Sequence, residues 1–453
     1  MPKELFGTDG IRGVPGEYPL DDATLFRAGQ ALGDFLQTGK SATRPRVLIG
    51  MDTRESGPHI AGRIAQGLRA AACEPVSAGI VTTPGVAWLV GAEGFAAGVV
   101  VSASHNPYTD NGVKLISSSG MKFPDEAEAK MEARILAAEK SNCAVPPLVS
   151  DSLPAARKLL DDYLDVLRRA IFPGAKLAGM KIVLDCANGA ASELAPQLFR
   201  SLGAEVIAIF DKPDGRNINA RCGSLHPQAV QEKVVEAGAA LGIAFDGDAD
   251  RAIFCTAAGR VVDGDGVLYA AGCHLKSTGK LKGPAIVGTS MANLGLERAL
   301  EREGLKLTRV PVGDRYVLEE MIRSGSNLGG EQSGHIIFLD DATTGDGMLT
   351  AVKIASLVAI AGPLDALVAG LKIFPQAIVN VRVRSKPALD SLPEVARALA
   401  EAEKALGSSG RVVLRYSGTE PLARVMVEAE RAEDVERFSR SIASAIRSTI
   451  GAN

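Results

Sequence analysis

Two short segments carry residue types that together can move a phosphoryl group. Val101-Ser-Ala-Ser-His-Asn-Pro107 follows an apolar run, Gly98-Val-Val-Val101, and sets Ser104 and His105 in a polar turn stopped by proline. An apolar strand ending in such a turn predicts a βα connection, where open α/β sheets place their ligands. Asp246-Gly-Asp-Ala-Asp-Arg251 follows a second apolar run, Leu241 to Phe245, and repeats a carboxylate at alternate positions. Alternate side chains project to one side, so Asp246, Asp248 and Asp250 can meet one Mg²⁺, an octahedral oxygen-seeking ion that shares its shell with phosphate. A hydroxyl nucleophile beside a hard cation is the minimal kit for phosphoryl transfer.

Each segment has a competing reading. Ser104-His105 resembles a hydrolase dyad, but adjacent side chains usually point apart, and the G-x-S-x-G elbow is absent. Lys114, in Asn111-Gly-Val-Lys114, lies downstream to counter phosphate charge and exchange a proton with a reacting hydroxyl. The aspartate run is not an EF-hand loop: the sixth position is Arg251 rather than glycine, and the twelfth is Ala257 rather than glutamate. A solvated acidic turn would not need three aligned carboxylates after a buried strand. Gly329-Gly-Glu331-Gln-Ser333-Gly-His335 offers a carboxylate, a hydroxyl and an imidazole suited to sugar hydroxyls, although an ordinary loop reads the same way. Arg415-Tyr-Ser417-Gly418-Thr419-Glu-Pro421, ahead of a strand bearing Arg424, pairs arginines, hydroxyls and turn amides as a phosphate cradle does. Phe6-Gly-Thr-Asp-Gly-Ile-Arg12-Gly13 is glycine-dense without a P-loop lysine. It either turns Arg12 into a cleft or is only a tight turn.

The elements that must position these residues follow a repeated pattern. Strand, polar turn, amphipathic helix and strand recur from Val47, from Lys181 and from Ala285. Helical spacing after a short apolar strand is the βαβ signature. Three widely separated copies predict three similar mixed-sheet α/β domains rather than a solenoid. After Pro375 the pattern changes to alternating strands, Ile378 to Arg384 and Ala423 to Glu428, and a helix with Val435, Phe438, Ile442 and Ile446 on one face: a smaller C-terminal α+β domain. The expected domains are 1–153, with a Pro146-Pro147 linker at its end, 154–256, 257–370 and 371–453.

The 453 residues exceed one core. A net charge of −3 argues against nucleic acid, whose phosphates demand a surplus of Lys and Arg. Six scattered cysteines without a C-x-x-C pair read as thiols in a reducing compartment. Nothing after Met1 reads as a signal peptide, and the longest apolar stretch, near Ile354 to Gly362, is too short to span a bilayer. A cytoplasmic protein without membrane or nucleic-acid partners is expected.

Together the motifs resemble the α-D-phosphohexomutase superfamily from Phe6 to the C-terminal helix. Four of them match in order: the serine loop, the metal loop, Gly-Glu-Gln-Ser-Gly-His and Ser-Gly-Thr-Glu-Pro. The opening Phe-Gly-Thr-Asp-Gly-Ile-Arg-Gly, Val312-Gly-Asp-Arg-Tyr-Val317, Asn217-Ile-Asn219 and Cys222-Gly-Ser224 resemble its bacterial amino-sugar branch. Tyr416 and the Thr82-Thr-Pro84 segment depart slightly from the family pattern. The resemblance implies four domains around a central cleft, with phosphorylated Ser104 as the active form. It implies Mg²⁺, one per subunit, on Ser104, Asp246, Asp248 and Asp250, with Arg251 and Lys114 near the phosphoryl group. Glu331 and Ser333 would grip the sugar; Arg415, Ser417, Gly418, Thr419 and Arg424 would hold its other phosphate. Arg12, Lys114 and His335 are proton-transfer candidates without a ranking. The implied reaction interconverts the 6- and 1-phosphates of a hexosamine through a 1,6-bisphosphate, and a kinase or a sugar bisphosphate first charges Ser104. The oligomeric state is left open, a homodimer included; a neutral hexose phosphate as substrate and an inactive sugar-phosphate sensor are the rival readings.

Overall fold

The computed structural model describes residues 4–7, 9–37, 44–140, 145–148, 153–417 and 421–452. Its strands form four sheets. In the first, Arg46–Met51 lies between Glu74–Ile80 and Ala97–Val101, all parallel, and Asn111–Ser117 then runs antiparallel beside Ala97–Val101. In the second, Lys181–Asp185 lies between Glu205–Ile209 and Leu241–Phe245, with Ala252–Thr256 antiparallel beside the latter. In the third, Ile286–Thr289 lies between Leu307–Val310 and Leu328–Gly330, and Ile336–Phe338 closes the pattern antiparallel. The strand order is therefore repeated three times, as the recurring sequence unit predicts.

That order corrects one expectation. Ser104 does not lie on a βα connection: its loop joins the third parallel strand to an antiparallel strand, Asn111–Ser117. The segment after Pro107 pairs on both edges, with Ala97–Val101 and with Ile11–Gly13, which a helix could not do. The metal loop and the Glu331 loop occupy the same place in the second and third sheets. A second difference concerns residues 257–259, expected as a boundary. They form a hairpin turn, with the Thr256 amide bonded to the Arg260 carbonyl, so the second sheet continues through Val261–Val262.

One continuous apolar core joins the three units. It runs from Val86 and Leu89 through Tyr163, Leu164 and Leu198 to Met348, Val352 and Leu357. The helix Gly347–Ala361 is buried along nearly its whole length, which explains the apolar stretch from Ile354. Among the described residues no helix is long and apolar enough to cross a membrane. The C-terminal unit has its own core, Val425, Val427, Phe438 and Ile442 among it, under an antiparallel sheet ordered Gln376–Arg382, Leu422–Ala429, Gly410–Tyr416. Gly410–Tyr416 was not expected as a strand; its residues are only half-buried, so no clear alternation marks it.

Candidate active site

Ser104 sits at the end of Ala97–Val101 in the left-handed region, φ 50°. A non-glycine residue there is strained and must be held by its surroundings. Arg54, completely buried, does most of the holding. Its guanidinium donates to the carbonyls of Ser104 (3.0 Å), Asn106 (2.8 Å), Asp110 (3.0 Å) and Pro107. Its Nε donates to Asp52 Oδ2 at 2.9 Å. Asp52 also accepts from Ser102 Oγ at 2.6 Å, and Ser102 Oγ accepts from the Ser104 amide at 2.9 Å. From the second unit Asn219 Nδ2 donates to the Ser104 and Asn106 carbonyls, at 2.8 and 3.0 Å. Neither arginine nor asparagine was assigned this role from sequence, because both lie far from the loop in the chain.

The serine loop and the metal loop touch. Ser104 Oγ donates to Asp246 Oδ2 at 2.6 Å. A Cβ on Gly247 would stand 2.5 Å from the Ser104 carbonyl, so only glycine permits this approach. Asp246, Asp248 and Asp250 are buried and offer three ligand oxygens within 4.8 Å of one another. Burial and repulsion from its two neighbours push Asp246 well above the ordinary carboxylate range. Asp250 goes the opposite way: burial would raise it, but His335, Arg251 and Lys114 hold it down. Asp248 Oδ1 and Asp250 Oδ1 are buried without a hydrogen-bond partner. Unpaired buried carboxylate oxygens converging on one point are what a bound cation would satisfy. The residues fit a metal ion.

Cations surround this cluster. Lys114 Nζ lies 3.1 Å from Asp248 and 3.0 Å from Asp9. Burial opposes its charge, but Asp248 and Asp9 win and raise its pKa, so it is an ammonium. Asp248 also accepts from Thr83 Oγ1 at 2.6 Å. Arg12 pairs with Asp9 at 2.5 Å and donates to the Ala103 carbonyl at 2.8 Å, which puts it beside the serine loop. Arg251 lies 3.7 Å from Asp250, and its amide donates to Asp246. Asp9 and Thr83 were missed in sequence, although Asp9 stands inside the glycine-dense opening motif.

His105 departs from expectation. Its Nδ1 lies 3.3 Å from Ser104 Oγ, although adjacent side chains were expected to diverge; the left-handed serine turns the two toward each other. Burial and the Arg251 charge push the His105 pKa down to about 4, which leaves a neutral imidazole at the serine. His335 is enclosed: Nε2 accepts from the Gly345 amide at 3.0 Å and Nδ1 faces Asp250 at 3.4 Å. Burial would lower its pKa, but Asp250 raises it. Both its ring nitrogens therefore have partners.

Glu331 accepts from the Gly313 amide at 3.2 Å, and Ser333 is exposed on the same loop. The Gly334 carbonyl accepts from the Ala252 amide at 3.1 Å, fastening this loop next to the metal loop. In the C-terminal unit Arg415 and Arg424 stand directly opposite across two strands, and Asn380 is opposite Arg424 on the third. Like charges directly opposed destabilise a sheet, and burial followed by Arg424 lowers the Arg415 pKa. An anion between them would relieve both. Ser417 is buried beside them in the chain, and its carbonyl accepts from Lys386. Gly418 and Thr419 lie outside the described residues.

The chain is similar to known proteins along its whole length. The phosphoglucomutase/phosphomannomutase family models match all four parts: α/β/α domain I at residues 3–142, domain II at 161–259, domain III at 263–373 and the C-terminal domain at 378–445. A phosphoglucosamine mutase of Solibacter usitatus is 52% identical over 452 residues, covering 100% of both chains. Another, of Geobacillus kaustophilus, is 45% identical and covers 99% of each. Among solved structures, a phosphoglucomutase/phosphomannomutase family protein of Burkholderia thailandensis aligns with a TM-score of 0.79 at 24% identity, covering 99% of each chain. The Aspergillus fumigatus N-acetylphosphoglucosamine mutase, solved with GlcNAc-6P and magnesium, aligns at 0.63 with 17% identity, over 95% of this chain and 86% of that one. On the full-length match, the chain belongs to the phosphoglucomutase/phosphomannomutase family of phosphohexomutases and, within it, to the phosphoglucosamine mutases.

Proposed function

We propose that the chain interconverts glucosamine 6-phosphate and glucosamine 1-phosphate through phosphorylated Ser104 and a bound 1,6-bisphosphate, supplying the amino-sugar precursor of the cell wall in the cytoplasm. The observation that carries this reading is the Ser104 hydroxyl seated on Asp246 at 2.6 Å, at the edge of the three-carboxylate cluster. In the first half-reaction the Ser104 Oγ–P bond breaks while a bond forms from phosphorus to the free sugar oxygen. The sugar hydroxyl loses its proton as that bond forms and Ser104 Oγ takes one up as its own bond to phosphorus breaks, so the half-reaction neither gains nor loses a proton. In the second, the other phosphate returns to Ser104.

A loose transition state asks chiefly for alignment and charge neutralisation. Mg²⁺, held by Asp246, Asp248, Asp250 and the Ser104 phosphate, would supply a Lewis acid to the phosphoryl oxygens. Lys114 enters as an ammonium and Arg251 as a guanidinium, both placed to offset charge on those oxygens. With His335 engaged on Asp250, Arg12 and Lys114 stand nearest the sugar oxygen. Lys114, an ammonium, would donate a proton there when that oxygen is the leaving group rather than accept one when it attacks. Neutral His105 is the group at hand for Ser104 Oγ. Glu331 and Ser333 would hold the sugar hydroxyls. Arg415, Ser417, Gly418, Thr419 and Arg424 would hold the non-reacting phosphate. A kinase or a sugar bisphosphate would charge Ser104 first, and a homodimer is compatible with this scheme.

The test is intact mass before and after phosphatase, with the added phosphate mapped to Ser104. A coupled assay would then compete glucosamine 6-phosphate against glucose and mannose phosphates. Preferential turnover of the amino sugar with Mg²⁺ is expected. Preference for a neutral sugar would overturn the substrate, and an unphosphorylated Ser104 in an active preparation would overturn the mechanism.

A further inference from the structure

Lys122 lies outside the four motifs, yet it joins two units. Its Nζ is 2.7 Å from Asp9 Oδ1 in the first unit and 2.7 Å from Asp314 Oδ2 in the third. Asp9 carries Lys114 and Arg12 on its other side, and Lys114 reaches Asp248. Asp314 opens the helix Asp314–Ser324, and the amide just before it, of Gly313, holds the Glu331 carboxylate. A line of alternating charge therefore runs from the sugar loop to the metal loop: Glu331, the start of this helix, Lys122, Asp9, Lys114, Asp248. Burial would raise the Asp9 pKa, but Lys114, Lys122 and Arg12 hold it well below the usual range, so it stays ionised in this line.

Apolar packing between the first and third units is interrupted here. A cavity of about 300 Å³ lies between them, walled by Ile116, Phe123, Leu318 and Ile322, with Lys122 and Asp314 also lining it. The units meet across it through polar ties: Lys122 to Asp314, Thr343 Oγ1 to the Gly120 carbonyl at 2.8 Å, and Arg315 to Asp125 at 2.8 Å. Of these only Lys122 also contacts a residue of the Arg12–Lys114 cluster.

We propose that Lys122 is a positioning residue for phosphoryl transfer. By clamping Asp9 to Asp314 it fixes Arg12 and Lys114 relative to the sugar held at Glu331. This rests on the mutase reading above, since the positioned groups are those assigned to the reaction. It does not depend on which hexose phosphate is the substrate.

The experiment measures kcat and KM for Lys122→Met, Lys122→Arg, Asp314→Asn and the Lys122→Met/Asp314→Asn double variant, each fully charged on Ser104. The sugar phosphate used is the one the wild type turns over best. A wild type that prefers a neutral hexose phosphate thus corrects the substrate while leaving the clamp tested. Displacing groups by about 1 Å costs on the order of 100-fold in rate. Lys122→Met should lower kcat by about that factor with KM changed less than about threefold, and Lys122→Arg should restore most of it. The double variant should be no slower than the slower single, because both remove one device. Normal kcat in Lys122→Met would overturn the proposal. So would a raised KM at unchanged kcat, which marks a direct sugar contact, or strictly additive losses. Should Lys122→Met not fold, Asp314→Asn read against wild type decides on the same criteria.

Discussion

Replacing Arg54 by methionine removes the brace of the serine loop while keeping most of the buried volume. The guanidinium makes five hydrogen bonds: one to Asp52 and four to loop carbonyls. Its removal also leaves Asp52 buried without its counter-charge, and breaking a buried pair by deleting one partner costs about 3–5 kcal/mol. The first unfolding transition should fall by about 6–20 °C, taking about 2–4 °C per kcal/mol. Activity should fall by about 100-fold or more, because the strained Ser104 loses the contacts that hold it. The loss has a definite pH dependence. Asp52 already titrates above its ordinary value of 3.8, because burial outweighs Arg54. Without Arg54 its folded pKa rises further, so the folded state binds a proton more tightly than the unfolded state does. The added instability is absent below the folded value of the wild type and grows as pH rises from there toward the higher folded value of the variant. Differential scanning fluorimetry from pH 4 to 8, beside steady-state turnover, measures both effects. A variant with wild-type melting and turnover at pH 7 would refute the bracing role. A deficit that shrinks as pH rises would refute the Asp52 account.

Ser104→Ala should abolish turnover with little change in melting temperature, since it deletes one hydrogen bond at a loop; wild-type turnover would exclude the covalent route. Asp248→Asn should lower kcat by several orders of magnitude, because the carboxylate both lines the cation site and anchors Lys114; unchanged Mg²⁺ dependence in a titration would count against the metal assignment. Asp346→Asn bears on stability. Burial raises Asp346 from 3.8 to about 6 at the start of the helix Gly347–Ala361, a displacement amounting to about 3 kcal/mol. A raised folded pKa makes the wild type lose stability as pH climbs from about 4 to 6. Asparagine caps a helix as well as aspartate does, so urea midpoints should show the variant gaining on the wild type across that window. Parallel curves would refute it.

The chemistry was readable in sequence wherever it lies within one loop. Ser104 and the three aspartates are local patterns: an apolar strand, then polar residues at a spacing that makes them converge. The parts that were not readable depend on contacts between distant segments. Arg54 reaches a loop about 50 residues on, Asn219 one about 115 residues back, and Lys122 meets Asp314 across 192. No periodicity encodes such pairings. The opposed Arg415 and Arg424 needed a strand register, and the strand carrying Arg415 has no sharp alternation to announce it. The βα reading of the serine loop failed because Asn111–Ser117, which mixes Val113, Leu115 and Ile116 with Asn111, Lys114 and Ser117, is ambiguous in isolation. Its pairing partner, Ile11–Gly13, lies about a hundred residues upstream.

The repeated strand order explains why such distant segments meet. In each of the three α/β units the loop that carries chemistry joins the third parallel strand to the antiparallel fourth. Parallel strands end their central loops on the same side of a sheet, so three copies packed around one core can present equivalent loops to one another. One copy carries the hydroxyl, the next the carboxylates, the third Glu331, the proposed contact to the sugar. Contacts such as Ser104 to Asp246 and Ala252 to Gly334 follow from that placement. Asn219 and Lys122, which tie one copy to another, and Arg54, which braces the serine loop within the first, lie outside these loops. Substitution there should alter rate through geometry while every group of the reaction remains in place.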